Sequence, residues 1–469
     1  MPAQFSTMFG SSRHVLPLVA LAIGGFARVS ASSPAPPDAV RMALELLADD
    51  RSDVRAVALE RVRHGLAGAE ATRQFAAIVA TLPRDRKIEL IRALAARDDA
   101  AALPALLAGL SSAEDPAERA AFVSALGVVG GATEVAVLKK SLAAPDPEKG
   151  AARRALTILE GSEVVPTLAE AVATGEPGLR PVFIEILADR RAFAALPALV
   201  AAAVEAEPPV RAAAMRALGR LGGPEQVPGM VRGLLAAAGG ERDEAERALV
   251  AVCTQNPGKE RAAAAFLGQF KAADDAARES LLPALGRVGG PEALALVDGL
   301  VADADAGRRR LGLTALARWP DATVADRLLD LIGKAADPAE RELLLHALIR
   351  IAPLPDNKLD DKQKLALLQK ALALCRTDDD RRRVLERAHA IRTIDTLRFV
   401  AASLDDPNLA ESACLSVVEL AHHRALRDAH KEEFATVLDR VLDTTKNDEL
   451  AERAQRYKEG KTWERKRSG

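Results

Sequence analysis

The sequence predicts an all-α solenoid, a superhelix of about twelve helical hairpins, and three observations predict it. The stretch from Glu207 to Ala238 reads as two amphipathic helices joined by a tight turn. A helix-start signal recurs in phase along the chain, and the second helices of five successive hairpins fall on a ruler of 31 residues. Such repetition marks an array of hairpins, each stacked on the next.

In the reference stretch, Val210, Ala213, Ala214, Ala217, Leu218 and Leu221 give one broad apolar face, and Val227, Met230, Val231, Leu234, Leu235 and Ala238 repeat those intervals. Between them, the Gly222-Gly223 pair suits a left-handed helix end, and Pro224 suits a new first turn. The start signal is an acid, a proline, two further residues and an arginine. It stands at Asp115–Arg119, Glu176–Arg180, Glu207–Arg211 and Asp337–Arg341, with partial copies at Asp146-Pro147 and Asp406-Pro407. The carboxylate can accept from free N–H groups at the helix start, and proline has no N–H to leave unpaired there. The arginine, one turn in, is placed to pair with acids of neighbouring repeats.

The ruler consists of Pro104, Val135, Pro166, Pro197 and Pro228, with apolar Leu106, Val137, Leu168, Leu199 and Met230 two positions later. Beyond Ala238 the phase loosens but the pattern continues. Ala277, Leu281, Ala284, Leu285 and Val288 form a first helix, Gly289-Gly290-Pro291 a turn, and Ala293, Leu296, Val297, Leu300 and Val301 a second. Hairpins are expected near 52–81, 84–110, 115–143, 146–173, 176–205, 207–238, 243–270, 274–302, 305–335, 337–376, 378–404 and 406–443, with end helices near 39–48 and 447–458. The one clear insertion is the polar loop Pro353–Asp361 in the tenth hairpin. A single hairpin buries too little to fold alone. One buried Leu contributes ~1.5–3 kcal/mol, whereas ordering each residue costs ~1–2 kcal/mol, so neighbours must supply apolar surface.

Residues 1–31 read as a signal peptide. Arg13 and His14 precede the apolar run Val15–Ala27, and Val29-Ser30-Ala31 is a small-residue cleavage site. Residues 32–38 are a linker, 39–458 the repeat solenoid and 459–469 a basic tail. The expectation is an exported protein, periplasmic or extracellular, with no transmembrane segment after cleavage and a monomeric solenoid.

The 64 Lys+Arg against 66 Asp+Glu argue against a generic nucleic-acid binder, and no nucleic acid is expected. Cys253, Cys375 and Cys414 lie far apart without metal-ligand spacing and read as buried apolar residues. His389, Cys414, His422, His423 and His430 are the densest set of potential ligands. Adjacent His422 and His423 point about 100° apart on a helix, which suits solvated or capping roles better than one metal. Arg308–Arg310 and Arg381–Arg383 follow local acids and read as solvated, locally paired faces. No P-loop, GxSxG or HExxH occurs, so neither an enzyme nor a bound cofactor or metal is expected.

The stretches from Arg211 to Leu234 and from Arg278 to Leu300 resemble HEAT-like repeats of the short bacterial type, also called E-Z or phycobilin-lyase-type repeats. The resemblance covers roughly residues 39–458. Ala317-Arg318-Trp319-Pro320 and the segment Asp405–Glu411 are similar to secreted HEAT-repeat proteins of planctomycete-like bacteria. Deoxyhypusine hydroxylase, another HEAT-like protein, holds iron with His-Glu dyads, and no histidine here precedes a glutamate. The repeat surface and the missing catalytic constellation predict a non-enzymatic scaffold of the bacterial cell envelope that binds another protein along the concave face, with Arg232 and Asp298 on second helices as candidate contacts. The alternatives are an accessory subunit or lyase-like enzyme acting on a cofactor, or a polyanion-binding module.

Overall fold

The computed structural model describes residues 36–205, 207–355 and 358–463. Among them the chain forms 27 α-helices and no strand, so the protein is an all-α solenoid. The expected signal peptide, linker residues 32–35 and tail residues 464–469 lie outside the described residues. No described helix is long and apolar enough to cross a membrane.

The chain divides into two compact units, one ending at Glu160 and the other starting at Gly161. In the first, helix Pro37–Leu47 precedes three hairpins. These pair Ser52–Glu60 with Ala69–Ala77, Arg84–Arg97 with Leu103–Ser112, and Pro116–Val129 with Val135–Ser141; helix Glu148–Ile158 follows. The second unit opens with Val164–Thr174, so the division falls inside the stretch expected as the fourth hairpin. Its fifth to ninth hairpins have first helices Arg180–Asp189, Pro208–Leu221, Gly239–Thr254, Asp275–Val288 and Ala306–Ala317. Their second helices are Leu196–Ala202, Val227–Ala236, Lys259–Ala272, Pro291–Val301 and Ala325–Lys334. The tenth pairs Pro338–Ile351 with Asp361–Leu374 and the eleventh Asp378–Ala388 with Ile394–Ala401. The twelfth runs from Ala410–His422 to Lys431–Thr444, and Asp448–Lys458 ends the unit.

Burial follows the apolar periodicity. Val210, Ala213, Ala214, Ala217, Leu218 and Leu221 are all buried, as are Val227, Met230, Val231 and Leu234. Leu235 and Ala238 break the expected face. Leu235 is exposed, and Ala238 is the exposed residue from which the next first helix starts, four residues earlier than expected. At Val137 the ruler slips, leaving Leu138 as the buried anchor.

Asp115 accepts from Ala117 N and Glu118 N at 2.9 Å, and Asp337 from Ala339 N at 3.1 Å, as the start signal requires. Glu207 makes no such bond, because its longer side chain turns toward Arg180 at 3.6 Å. The Gly222-Gly223 turn also differs from expectation, since both residues are extended rather than left-handed. Glycine is needed at 222 for space, because a Cβ would stand 2.6 Å from Leu218 O. A positive φ of 71° at the helix end occurs instead at Gly289.

Candidate interaction surface

Basic residues near the starts of the first helices tie neighbouring hairpins together. Lys87 and Glu118 are 3.0 Å apart, and so are Arg309 and Glu340. The pairs Arg119–Glu148 and Arg211–Glu241 are bidentate, with bonds of 2.6 and 3.0 Å and of 2.6 and 2.8 Å. Arg119 also donates to Leu110 O and Ala113 O, and Arg211 to Glu205 O, so each guanidinium closes carbonyls near the end of the preceding second helix. Hydrogen bonds from Arg119 outweigh burial and hold the Glu148 carboxyl below its ordinary range. In the pairs Lys87–Glu118, Arg211–Glu241 and Arg309–Glu340, the base is the fourth residue after its helix cap and the acid is the third residue after the next cap.

A second contact recurs eight residues after the arginine. A Cβ on Gly127 would lie 2.5 Å from Ala155 Cα, one on Gly219 3.0 Å from Ala248 Cα, and one on Gly286 2.1 Å from Ala315 O. Glycine in a helix interior costs ~1 kcal/mol against alanine, and the close approach of neighbouring first helices is what requires it here. The contact is common to the third-to-fourth, sixth-to-seventh and eighth-to-ninth steps.

The eighth-to-ninth step has the glycine contact without the ion pair. The third position after cap Asp305 is occupied by Arg308, where the neighbouring hairpin has Glu340. The arginine opposite, Arg278, turns back to Phe270 O, Lys271 O and Asp275, at 3.3, 2.6 and 3.4 Å. Two first helices that touch at Gly286 thus have no ion pair between Arg278 and the start of the next helix. Between them lies a cleft of about 750 Å³ whose apolar lining includes Phe270, Leu282, Leu296, Leu300 and Leu311, with Arg278 and Arg308 on opposite walls. Asp303 lies 3.3 Å from Arg308, Asp305 caps the Arg308 N–H, and exposed Glu279 stands at the rim.

The tenth-to-eleventh step is irregular in another way. Asp380, in the acid position, is 2.8 Å from His346 Nε2 and accepts from Thr377 Oγ1 at 2.8 Å, while Arg341 donates to Leu374 O. Burial pushes the Asp380 carboxyl up, but these bonds and the adjacent imidazole bring it below its ordinary value. A cavity of about 270 Å³ beside it is also lined by Arg376 and Arg383.

Arg232 is exposed on helix Val227–Ala236. Asp298, on Pro291–Val301, instead lies 2.9 Å from Arg327 of the ninth hairpin's second helix. No Arg327 N–H points along that line, and both Asp298 Oδ1 and Arg327 Nε are buried without a hydrogen bond. The contact is a Coulombic tie between hairpins, so reversing Asp298 perturbs the stack as well as any surface.

The arginine triplets are taken up locally and between repeats. Arg308 pairs with Asp303, Arg309 with Glu340, Arg381 with Asp378 and Arg382 with Asp379. All three cysteines are buried; burial raises the thiols of Cys253 and Cys414 to about 12 and that of Cys375 to about 11. Among the described residues no three His, Cys, Asp or Glu side chains converge as a metal site. His422 Nδ1 is 2.8 Å from Tyr457 OH, and burial lowers the pKa of both His389 and His423. The departure of Arg308 from the acid register was readable in the sequence, but only once the caps were fixed to the residue.

Residues 74–157 and 165–250 match the HEAT-repeat family model. No curated protein matches the sequence. Among solved structures, the karyopherin Kap121p bound to the SUMO protease Ulp1p is similar at 14% identity, with a TM-score of 0.49 over 89% of this chain and 52% of that one. Kap121p alone gives 14% identity, a TM-score of 0.45 and coverage of 90% and 57%. Importin beta gives 12%, 0.35, 90% and 72%. The chain thus spans little more than half the length of the Kap121p chains it matches.

Proposed function

We propose that this protein is a non-enzymatic scaffold, exported to the bacterial cell envelope, that binds another protein along the exposed faces of its hairpins. The observation that carries this reading is the cleft between the eighth and ninth hairpins. Its leucine- and phenylalanine-containing lining is left open at a step without the ion pair found at the sixth-to-seventh and ninth-to-tenth steps. Apolar surface that opens to solvent within a regular repeat is characteristic of an interaction site. Exposed Arg232, two hairpins earlier, adds a polar contact on a second helix. Export rests on the apolar run Val15–Ala27 and the small-residue site Val29-Ser30-Ala31.

The test is affinity capture from an envelope extract with residues 32–469, run beside Leu300→Glu and Arg232→Glu variants. The expected result is one stoichiometric protein partner, lost with Leu300→Glu and weakened with Arg232→Glu. A coloured or metal-containing group in place of a protein, or capture indifferent to Leu300→Glu, would contradict the reading.

A further inference from the structure

The ion pairs that staple neighbouring first helices follow one register, and the tenth-to-eleventh step keeps both members of that register without joining them. Arg341 is the fourth residue after cap Asp337 and Asp380 the third after cap Thr377, the places held by Arg211 and Glu241 at the sixth-to-seventh step. Asp380 is bonded instead to His346 Nε2 and Thr377 Oγ1, and Arg341 donates one N–H to Leu374 O at 2.8 Å. Among the described residues the Arg341 guanidinium has no carboxylate partner, and it lines the cavity of about 270 Å³.

Two further arginines line the same cavity. Arg376 stands just before the cap and Arg383 on helix Asp378–Ala388; both are exposed, and among the described residues neither makes an ion pair or a hydrogen bond. The carboxylates of the lining are mostly engaged. Asp379 is bonded to Arg382, which lies outside the lining, and Asp380 to His346 and Thr377. Glu342, exposed and 3.9 Å from His346, is the one acid without a closer partner. Three guanidinium groups with no counter-charge thus share the cavity with one loosely held carboxylate. Pro338, Leu345 and Leu374 add an apolar wall.

We propose that the cavity between the tenth and eleventh hairpins binds a phosphate monoester, its terminal oxygens accepting from Arg341, Arg376 and Arg383 and its organic part lying against Pro338, Leu345 and Leu374. Such a group carries about −1.5 to −2 charge at pH 7 and offers three strong acceptor oxygens, one for each guanidinium. A carboxylate has a single charge and only two oxygens, and it leaves one arginine unmatched. The site is separate from the partner-binding cleft, and the scaffold reading does not depend on it.

The probes are phenyl phosphate, inorganic phosphate and benzoate, titrated into the full chain by isothermal calorimetry in a chloride buffer of constant ionic strength. Phenyl phosphate is expected to bind saturably and about tenfold tighter than benzoate, which carries the same ring on a carboxylate. Inorganic phosphate is expected to bind more weakly than phenyl phosphate, because it makes no use of the apolar wall. Inorganic phosphate binding as tightly would overturn the ester and assign the free ion.

Arg376→Ala and Arg383→Ala are each expected to weaken phenyl phosphate about tenfold with Tm unchanged, because neither side chain ties the fold together. Arg341→Lys, which keeps a charge at the joint, is expected to weaken binding as well, since an ammonium does not reproduce the guanidinium fork. Glu342→Gln removes the repelling carboxylate and is expected to tighten binding by a factor of roughly three. Arg232→Ala, on the sixth hairpin, is expected to leave it unchanged. No saturable binding up to roughly 10 mM, benzoate binding as tightly as phenyl phosphate, or an affinity indifferent to both Arg376→Ala and Arg383→Ala would overturn the proposal.

Discussion

The sixth-to-seventh and eighth-to-ninth steps lie in the same compact unit and are built on the same contact. Gly219 approaches Ala248 in one, Gly286 approaches Ala315 in the other, and each glycine follows its arginine by eight residues. They differ at the helix starts. Arg211 meets Glu241 through two short bonds, whereas Arg278 shares its cleft with Arg308. The backbone approach sets where two first helices meet, and the charged pair, where it is present, ties their starts together.

Breaking the closed step gives the largest expected effect. Arg211 and Glu241 are mostly buried, with side chains 8% and 15% exposed. Arg211→Ala strands the carboxylate, and removing one partner of a buried pair costs about 3 kcal/mol or more. Chemical denaturation is expected to show that loss, and a loss below about 1 kcal/mol would mean the pair does little for the joint. The outcome sharpens the comparison because the eighth-to-ninth step, which has no such pair, stands as its internal control.

Much of this architecture was legible in the sequence because a repeat states its own rules many times. The apolar spacing of Val210 to Leu221 placed a buried face, and Asp-Pro starts at 115 and 337 placed helix caps to the residue. The arginine of the start signal was readable as an inter-repeat partner, and Arg119 and Arg211 act as such, whereas Arg309, which reads from the sequence as locally paired, reaches Glu340 of the next hairpin. The cleft was not legible. It depends on Arg308 occupying the acid's register, and a one-residue error in phase rotates a helical side chain by about 100°. The surroundings of Asp298 were not legible either. Its position on a second helix made it a candidate contact, and only coordinates bring Arg327 of the next hairpin to 2.9 Å.

Acidification separates the staples from the C-terminal hairpins. Burial, and for His423 also Arg392, holds His389 and His423 below the ordinary value of 6.5. The unfolded chain therefore binds their protons first, and stability is lost as pH falls below 6.5 toward the lower folded values. Glu148 behaves in the opposite sense: its folded value lies below 4.5, so its contribution is present above 4.5 and lost only as pH falls through the folded value. Thermal unfolding is expected to weaken from about pH 6.5 downward, and His389→Gln with His423→Gln to remove that early loss. A stability profile flat down to pH 5 would contradict the assignment.

The smallest expected effect bears most directly on the central claim, that the starts of the eighth and ninth first helices lack the ion pair that ties the sixth to the seventh. Hydrogen exchange at the start of helix Ala306–Ala317 is measured in the wild type and in Arg308→Glu, with the start of Gly239–Thr254 as the closed reference. The account predicts faster exchange at the open start in the wild type and slowing toward the reference in the variant, with Gly239–Thr254 unchanged. Equal exchange at both starts in the wild type, or no slowing on introducing the acid, would contradict it.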